Sequence, residues 1–137
     1  GFVGGNNRGL EYARGASADY ALLLNNDTEV DPQFLGCMVN AGESSAEIGV
    51  VGPSIYYYSA PDIFWSAGGE IDWARGVTRM IGDRQVDRGQ FGEEIRPVDF
   101  VSGCALLIRM SAVAKVGMLD PRFFAYYEET EWSSRHR

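Results

Sequence analysis

At 137 residues, 45% of them hydrophobic and with a formal net charge of −7, the chain is sized for one domain with an ordinary core. The acidic balance excludes a general nucleic-acid binder, which needs a basic face to neutralise phosphates. No apolar run approaches the roughly 20 residues that span a bilayer. A small phosphorylated ligand held with a divalent cation remains compatible, because hard cations require carboxylates.

The chain opens Gly1-Phe-Val-Gly-Gly-Asn-Asn-Arg-Gly9. Asn6-Asn7 predicts the cap of a short helix carrying Leu10 and Ala13, closed by Gly15. Glycines ahead of such a helix are placed to approach a phosphate at its N-terminus. Without a strand before them they fail as a dinucleotide-binding loop. Tyr20-Ala-Leu-Leu-Leu24 then reads as a strand buried on both faces, ending in Asn25-Asn26-Asp27-Thr28. Parallel sheets bind ligands beyond the carboxyl ends of their strands, which is where Asp27 falls. The same four residues also make good turn and capping chemistry, so turn and site stay open here.

Asp31-Pro32 predicts a helix start, with Phe34, Leu35, Met38 and Val39 as its apolar stripe and its end near Ala41 to Ser45. Ile48 to Pro53 reads as a second buried strand, giving the α-β-α-β alternation of a layered α/β domain. Residues 55–73 are aromatic and β-prone, and 74–95 read as loop or ragged hairpin, the kind of long insertion that is mobile or functional. Val98 to Val101 and Ser102-Gly103 lead into a strand at Cys104 to Ile108. Ser111 is placed to cap a short helix closed by Gly117, and a final helix starts near Glu128. Cys37 and Cys104 read as small buried hydrophobes in a reducing cytosol rather than as a disulfide. The chain has no initiator Met and finishes inside a helical pattern, which reads as a piece of a longer protein lacking its first β-α unit and its C-terminal region.

Two acidic features stand apart in sequence, Asp27 and Glu128-Glu129. In an α/β domain they can face one crevice, Asp27 holding a metal-diphosphate and one glutamate acting as general base. Acid bias at a helix start is the plainer account of Glu128-Glu129. Glu131 and Arg135 fit an i,i+4 surface pair. His136, the only histidine, reads as solvated rather than as a metal or diphosphate contact. Trp65, Trp73 and Trp132 read as packing residues before they read as stacking platforms for a sugar.

Taken in order, Gly-Phe-Val-Gly-Gly-Asn-Asn-Arg-Gly, Tyr-Ala-Leu-Leu-Leu-Asn-Asn-Asp-Thr, Asp31-Pro32, Trp65-Ser-Ala-Gly-Gly69, Val98 to Arg109, Val116-Gly-Met-Leu-Asp120 and Phe123 to Glu129 resemble the family-2 glycosyltransferases, especially their rhamnosyltransferase-like branch. The resemblance covers essentially the whole chain. It implies a GT-A-like (Rossmann-like) fold, with a mixed, mostly parallel sheet and flanking helices, truncated at both ends to a single partial catalytic domain over 1–137. It implies inverting transfer of a sugar, rhamnose being one candidate, from a nucleotide diphosphate sugar to a glycan or lipid-linked acceptor hydroxyl in cell-surface polysaccharide synthesis. By the same resemblance Asn25, Asn26 and Asp27 occupy the Asp-x-Asp position, with Asp27 as metal ligand to Mg2+ or Mn2+ and Asn25 in place of the first acid. Glu128 and Glu129 occupy the catalytic Glu-Asp position, with Glu129 as base. Asn7, Ser102 and Gly103 fall on donor-binding segments.

The expected location is cytoplasmic, at the inner face of the membrane in the full-length protein. The cut predicts an inactive fragment and self-association through an exposed sheet edge. The competing readings are an inactive nucleotide-sugar or glycan-binding module and an aspartyl-phosphate phosphatase. The latter needs a nucleophilic carboxylate where Asn25 stands.

Overall fold

The computed structural model describes residues 1–123 and 126–135. Phe124 and Ala125 of the expected aromatic run, and His136, lie outside the described residues. The first helix, α1 (Phe2–Gly15), begins four residues before the expected Asn6 cap. Val3 and Leu10 are seven apart, two turns, and both are buried in the core, while nothing lies near a side chain at Gly4 or Gly5. Core packing therefore offsets the roughly 1 kcal/mol that each helical glycine costs. The glycine-rich opening is thus part of the helix and not a phosphate loop ahead of it. Gly15 is the last helical residue, and the left-handed turn falls on Ser17 instead.

Strand β1 (Tyr20–Leu24) follows, then helix α2 (Phe34–Glu43) and strand β2 (Val50–Val51). Helix α2 starts two residues later than Asp31-Pro32 predicts, because Asp31 first forms a turn whose carboxylate accepts from the Gln33 amide at 2.7 Å. Of its expected apolar stripe Met38 is buried, whereas Leu35 faces solvent. Two hairpins come next: β3 (Ile55–Tyr57) with β4 (Ala60–Ser66), and β5 (Gly69–Asp72) with β6 (Val77–Met80). The expected ragged hairpin within 74–95 is β6 and the turns that follow it. Strand β7 (Ala105–Arg109), helix α3 (Met110–Val116) and helix α4 (Glu128–Ser134) complete the order. Ser111 lies inside α3 rather than capping it, while Gly117, at φ 83°, does close it.

The main sheet has the order β1-β7-β2, and β7 is antiparallel to both neighbours. Leu23 pairs with Leu106, Leu22 with Leu107 and Val50 with Ile108. The mixed α/β character is present, but every strand pairing among the described residues is antiparallel, in place of the expected mostly parallel sheet. The β1-α2-β2 crossover does bring β2 back parallel to β1. A strand arriving from residue 105 occupies the slot between them. The strand buried on both faces is accordingly β7, whose Ala105 to Ile108 are all buried, and not β1, where only Leu23 is.

Leu10, Leu23, Leu106, Ile108, Val113, Leu119 and Trp132 form the core between the sheet and helices α1, α3 and α4. Arg109 locks α2 to the sheet. Its guanidinium donates to the carbonyls of Ile48 at 3.0 Å and Gly42 at 2.5 Å and lies over the Tyr20 ring. Both cysteines are free, and Cys37 is exposed rather than buried because it falls off the Met38 face of α2.

Candidate active site

The carboxyl end of β1 meets the amino-terminal approach to β7. Beyond the Leu24–Ala105 pair the ladder continues, with the Asn25 amide donating to the Cys104 carbonyl at 2.9 Å. Thr28 Oγ1 then donates to the Asn25 carbonyl at 2.8 Å and folds Asn25 to Thr28 back as a turn, leaving Asn25, Asn26 and Asp27 exposed. Turn and site, the two readings of this stretch, are therefore the same piece of backbone. Burial pushes the Cys104 thiol up in pKa, and the Asp27 carboxylate nearby pushes it the same way. Ser102 is buried, and its hydroxyl accepts from the Cys104 amide at 3.2 Å.

Gly103 lies between them for a steric reason. A Cβ there would stand 3.0 Å from the Phe2 ring and 3.7 Å from Cγ of Glu129. The two acidic features, a hundred residues apart in the chain, thus meet neighbouring residues of one turn: Asp27 through Cys104, and Glu129 through Gly103. Burial, followed by the adjacent Glu128 carboxylate, raises the pKa of Glu129 above the usual carboxylate range, and a backbone amide opposes the shift. Glu128 is only 5% exposed, and its Oε2 has no hydrogen-bond partner among the described residues. Directly before them Tyr126 and Tyr127 hold left-handed backbone at φ 70° and 66°, which costs about 1–3 kcal/mol per residue for bulky side chains.

Helix α4 is held in place by side chains that capture one stretch of backbone. Trp132 Nε1 donates to the Gly117 carbonyl at 2.8 Å, and Arg135 donates to the Val116 and Met118 carbonyls, each at 2.8 Å. Arg135 Nε also lies 3.0 Å from Glu131 Oε1. The expected surface pair is thus a half-buried clamp, because Arg135 turns inward to orphan carbonyls after α3. Asn7 completes the arrangement from α1, its amide donating to the Leu119 carbonyl at 2.9 Å and accepting from the Leu119 amide at 3.1 Å. The structure therefore gives Asn7 a backbone partner 112 residues away. No sequence signal marks this bond, the Phe2 contact or the burial of Glu128.

A groove of about 1310 Å³ runs from Asn25 and Asp27 along α2 to the β3–β4 hairpin, with Cys104 and Ala105 at its base. Ser102 lines a separate cavity of about 590 Å³ on the far side of Gly52 to Ser54. Trp65 lines the groove, Trp132 is fully buried in the core and Trp73 is exposed. Among the described residues no three His, Cys, Asp or Glu side chains cluster to hold a metal ion. The donor set at Asp27 fits a cation sharing one carboxylate with substrate phosphates and water, a habit of Mg2+. It does not fit a cage built by protein alone.

No family model matches the chain. It is 28% identical over 138 residues to the low-salt glycan biosynthesis hexosyltransferase of Haloferax volcanii, a match covering 100% of this chain and 43% of that protein. It is 26% identical over 130 residues to the N-acetylglucosaminyl-diphospho-decaprenol L-rhamnosyltransferase of Mycobacterium tuberculosis, covering 85% of this chain and 41% of that protein. The chain is therefore similar to glycosyltransferases of glycan biosynthesis and spans about two fifths of their length.

Proposed function

We propose that these residues belong to an inverting glycosyltransferase of GT-A type, which moves a sugar from a nucleotide diphosphate sugar to an acceptor hydroxyl on a glycan or lipid-linked glycan. The single observation supporting the reading is the Gly103–Cys104 turn, which Glu129 approaches at Gly103 and Asp27 at Cys104. The two sugar-transferring relatives support it, and rhamnose is one donor sugar consistent with them.

In this reading Glu129 accepts the proton of the acceptor hydroxyl as its oxygen bonds the anomeric carbon and the bond to the diphosphate breaks. Partial burial suits Glu129 to the task, since a base works best with a proton affinity brought toward the operating pH. Glu128 lies beside it and raises that affinity further. Asp27, with the exposed amides of Asn25 and Asn26, faces the diphosphate, and Ser102 and Gly103 carry the turn against which Phe2 and Glu129 pack. Asn7 serves the site by fixing the Leu119 backbone. A divalent cation, Mg2+ or Mn2+, would be held by Asp27 and would supply neutralisation of charge on the departing diphosphate.

Glu129→Gln in the intact protein should lower turnover by about 10²–10⁴-fold while donor affinity is kept. Unchanged turnover removes Glu129 from the role. Donor binding with no turnover in the unaltered protein would favour the second reading, an inactive nucleotide-sugar or glycan-binding module.

No helix among the described residues is long and apolar enough to cross a membrane. The proposed place of work is the cytoplasmic side, next to a lipid-linked acceptor. Strand β1 pairs on one edge only among the described residues, and we propose self-association there. Sedimentation should show concentration-dependent dimers, and a monomer at all concentrations counts against it.

A further inference from the structure

The groove beside Asp27 has two unlike walls. On one side Asp27, Glu29 and Asp31 supply three carboxylates, and no Lys, Arg or His among the described residues lines it. On the other stand Tyr56, Tyr58 and Trp65. Two of these rings have partners in advance of any ligand. Tyr56 stacks on Phe64 with ring centroids 4.7 Å apart, and its hydroxyl donates to Asp87 at 2.6 Å. Tyr58, 82% exposed, crosses to the acidic wall, donating to Glu29 Oε1 at 3.2 Å. Rings fixed this way lose little freedom when something binds against them.

A groove of this chemistry discriminates by charge and by polarity. Carboxylates accept hydrogen bonds from hydroxyl groups, and a bond to a charged acceptor is the stronger kind. Aromatic faces take the C–H side of a sugar ring, burying apolar area without asking for a polar partner. Away from the Asp27 end, where the proposed cation and diphosphate would lie, an anionic ligand meets Glu29 and Asp31 with no counter-charge among the described lining residues, so its desolvation goes uncompensated. The base of the groove is Cys104, next to the glycine against which Glu129 lies.

We infer that this groove seats the acceptor, as a neutral, hydroxyl-rich glycan lying between the tyrosine–tryptophan wall and the Glu29–Asp31 wall, with the sugar that reacts at the Cys104 end. The inference rests on the transferase reading and narrows it. It assigns acceptor recognition to the β3–β4 hairpin and excludes uronic-acid and other anionic sugars from the groove.

The test is an amide and indole NMR titration of the chain in the absence of donor. The probes are methyl glycosides of neutral hexoses and N-acetylhexosamines, and the matched methyl hexuronates. The neutral set should shift the Trp65 indole and the Tyr58 and Glu29 amides, and the hexuronates should bind at least about fivefold more weakly. Trp65→Ala should weaken neutral binding by about two- to tenfold. Tyr58→Ala, at an exposed position that leaves the fold unchanged, should weaken it as well. Equal or tighter hexuronate binding, shifts that both variants leave intact, or no neutral probe perturbing the groove would each overturn the assignment. A parallel arm with nucleotide diphosphate sugars and Mg2+ separates the two claims. Metal-dependent donor binding alongside a silent groove leaves the transferase reading in place and removes only the acceptor site.

Discussion

The half of the molecule built on the β1-β7-β2 sheet and the hairpin half, residues 55–96, are held by different forces. In the first, Leu10, Leu106, Ile108, Leu119 and Trp132 are essentially inaccessible, and backbone carbonyls are captured by side chains from distant elements. The second has a smaller core around Phe64, stacked by Tyr56 and met edge-on by Phe91, with Arg96 donating to the Ala67 carbonyl. Its rim is local pairing and tyrosine hydroxyls donating to carboxylates, Tyr56 to Asp87 and Tyr57 to Asp83. The lesson concerns where each duty is mounted. Glu128 and Glu129 stand on helix α4 of the buried frame, while the groove wall stands on hairpins with a smaller core of their own.

The contrast is open to breaking by mutation, and Trp132→Ala gives the largest expected effect. It empties a fully buried site and removes the bond to Gly117, so urea unfolding should show a loss of about 3–5 kcal/mol. A loss below about 1 kcal/mol, the level expected of surface positions, would erase the distinction.

Gly69→Ala probes the seam between the halves. A Cβ there would overlap the Phe100 ring, and the expected cost is about 1–3 kcal/mol, seen as a lowered Tm. Tyr57→Phe, within the hairpins, should change stability by no more than about 0.5 kcal/mol.

Proton binding at Glu129 sharpens the comparison from the side of the frame. Its folded pKa is raised, so its contribution to stability is fully present below the unfolded value and is lost as pH rises through the folded one. Glu129→Gln should therefore be at least as stable as the unaltered protein at neutral pH, even as its turnover falls. On the proposed mechanism, the acid limb of the rate profile should lie above the ordinary carboxylate value of 4.5. A limb at or below that value would mean that the group titrating in the rate is not this buried carboxylate.

What the amino-acid order made legible was local. The run Tyr20 to Leu24, the left-handed Gly117 and the helix start at Glu128 each declare themselves within a few residues. Hidden were features decided by partners far away. Apolar periodicity carries no strand direction, so nothing in Ala105 to Arg109 announced an antiparallel strand between two parallel ones. The helical state of Gly4-Gly5 depends on Val3 and Leu10 meeting the core, and glycine propensity alone argues against it. Arg135 looked like a surface partner for Glu131 because the open carbonyls of Val116 and Met118 are invisible until α3 ends beside α4. The site was half legible. Asp27 and Glu129 stood out by residue type, whereas the packing of Phe2 and Glu129 beside Gly103 needed coordinates.

The late arrival of β7 governs how the chain matures. Until residue 105 has been synthesised, β1 and β2 have no strand to join them, and the apolar flanks of α1 and α2 wait over an unfinished layer. The two hairpins lie entirely within that interval and close on their own short-range pairings. A chain ending just before Ala105 would thus hold its two hairpins beside an apolar base that still lacks β7 and, beyond it, Val113, Leu119 and Trp132.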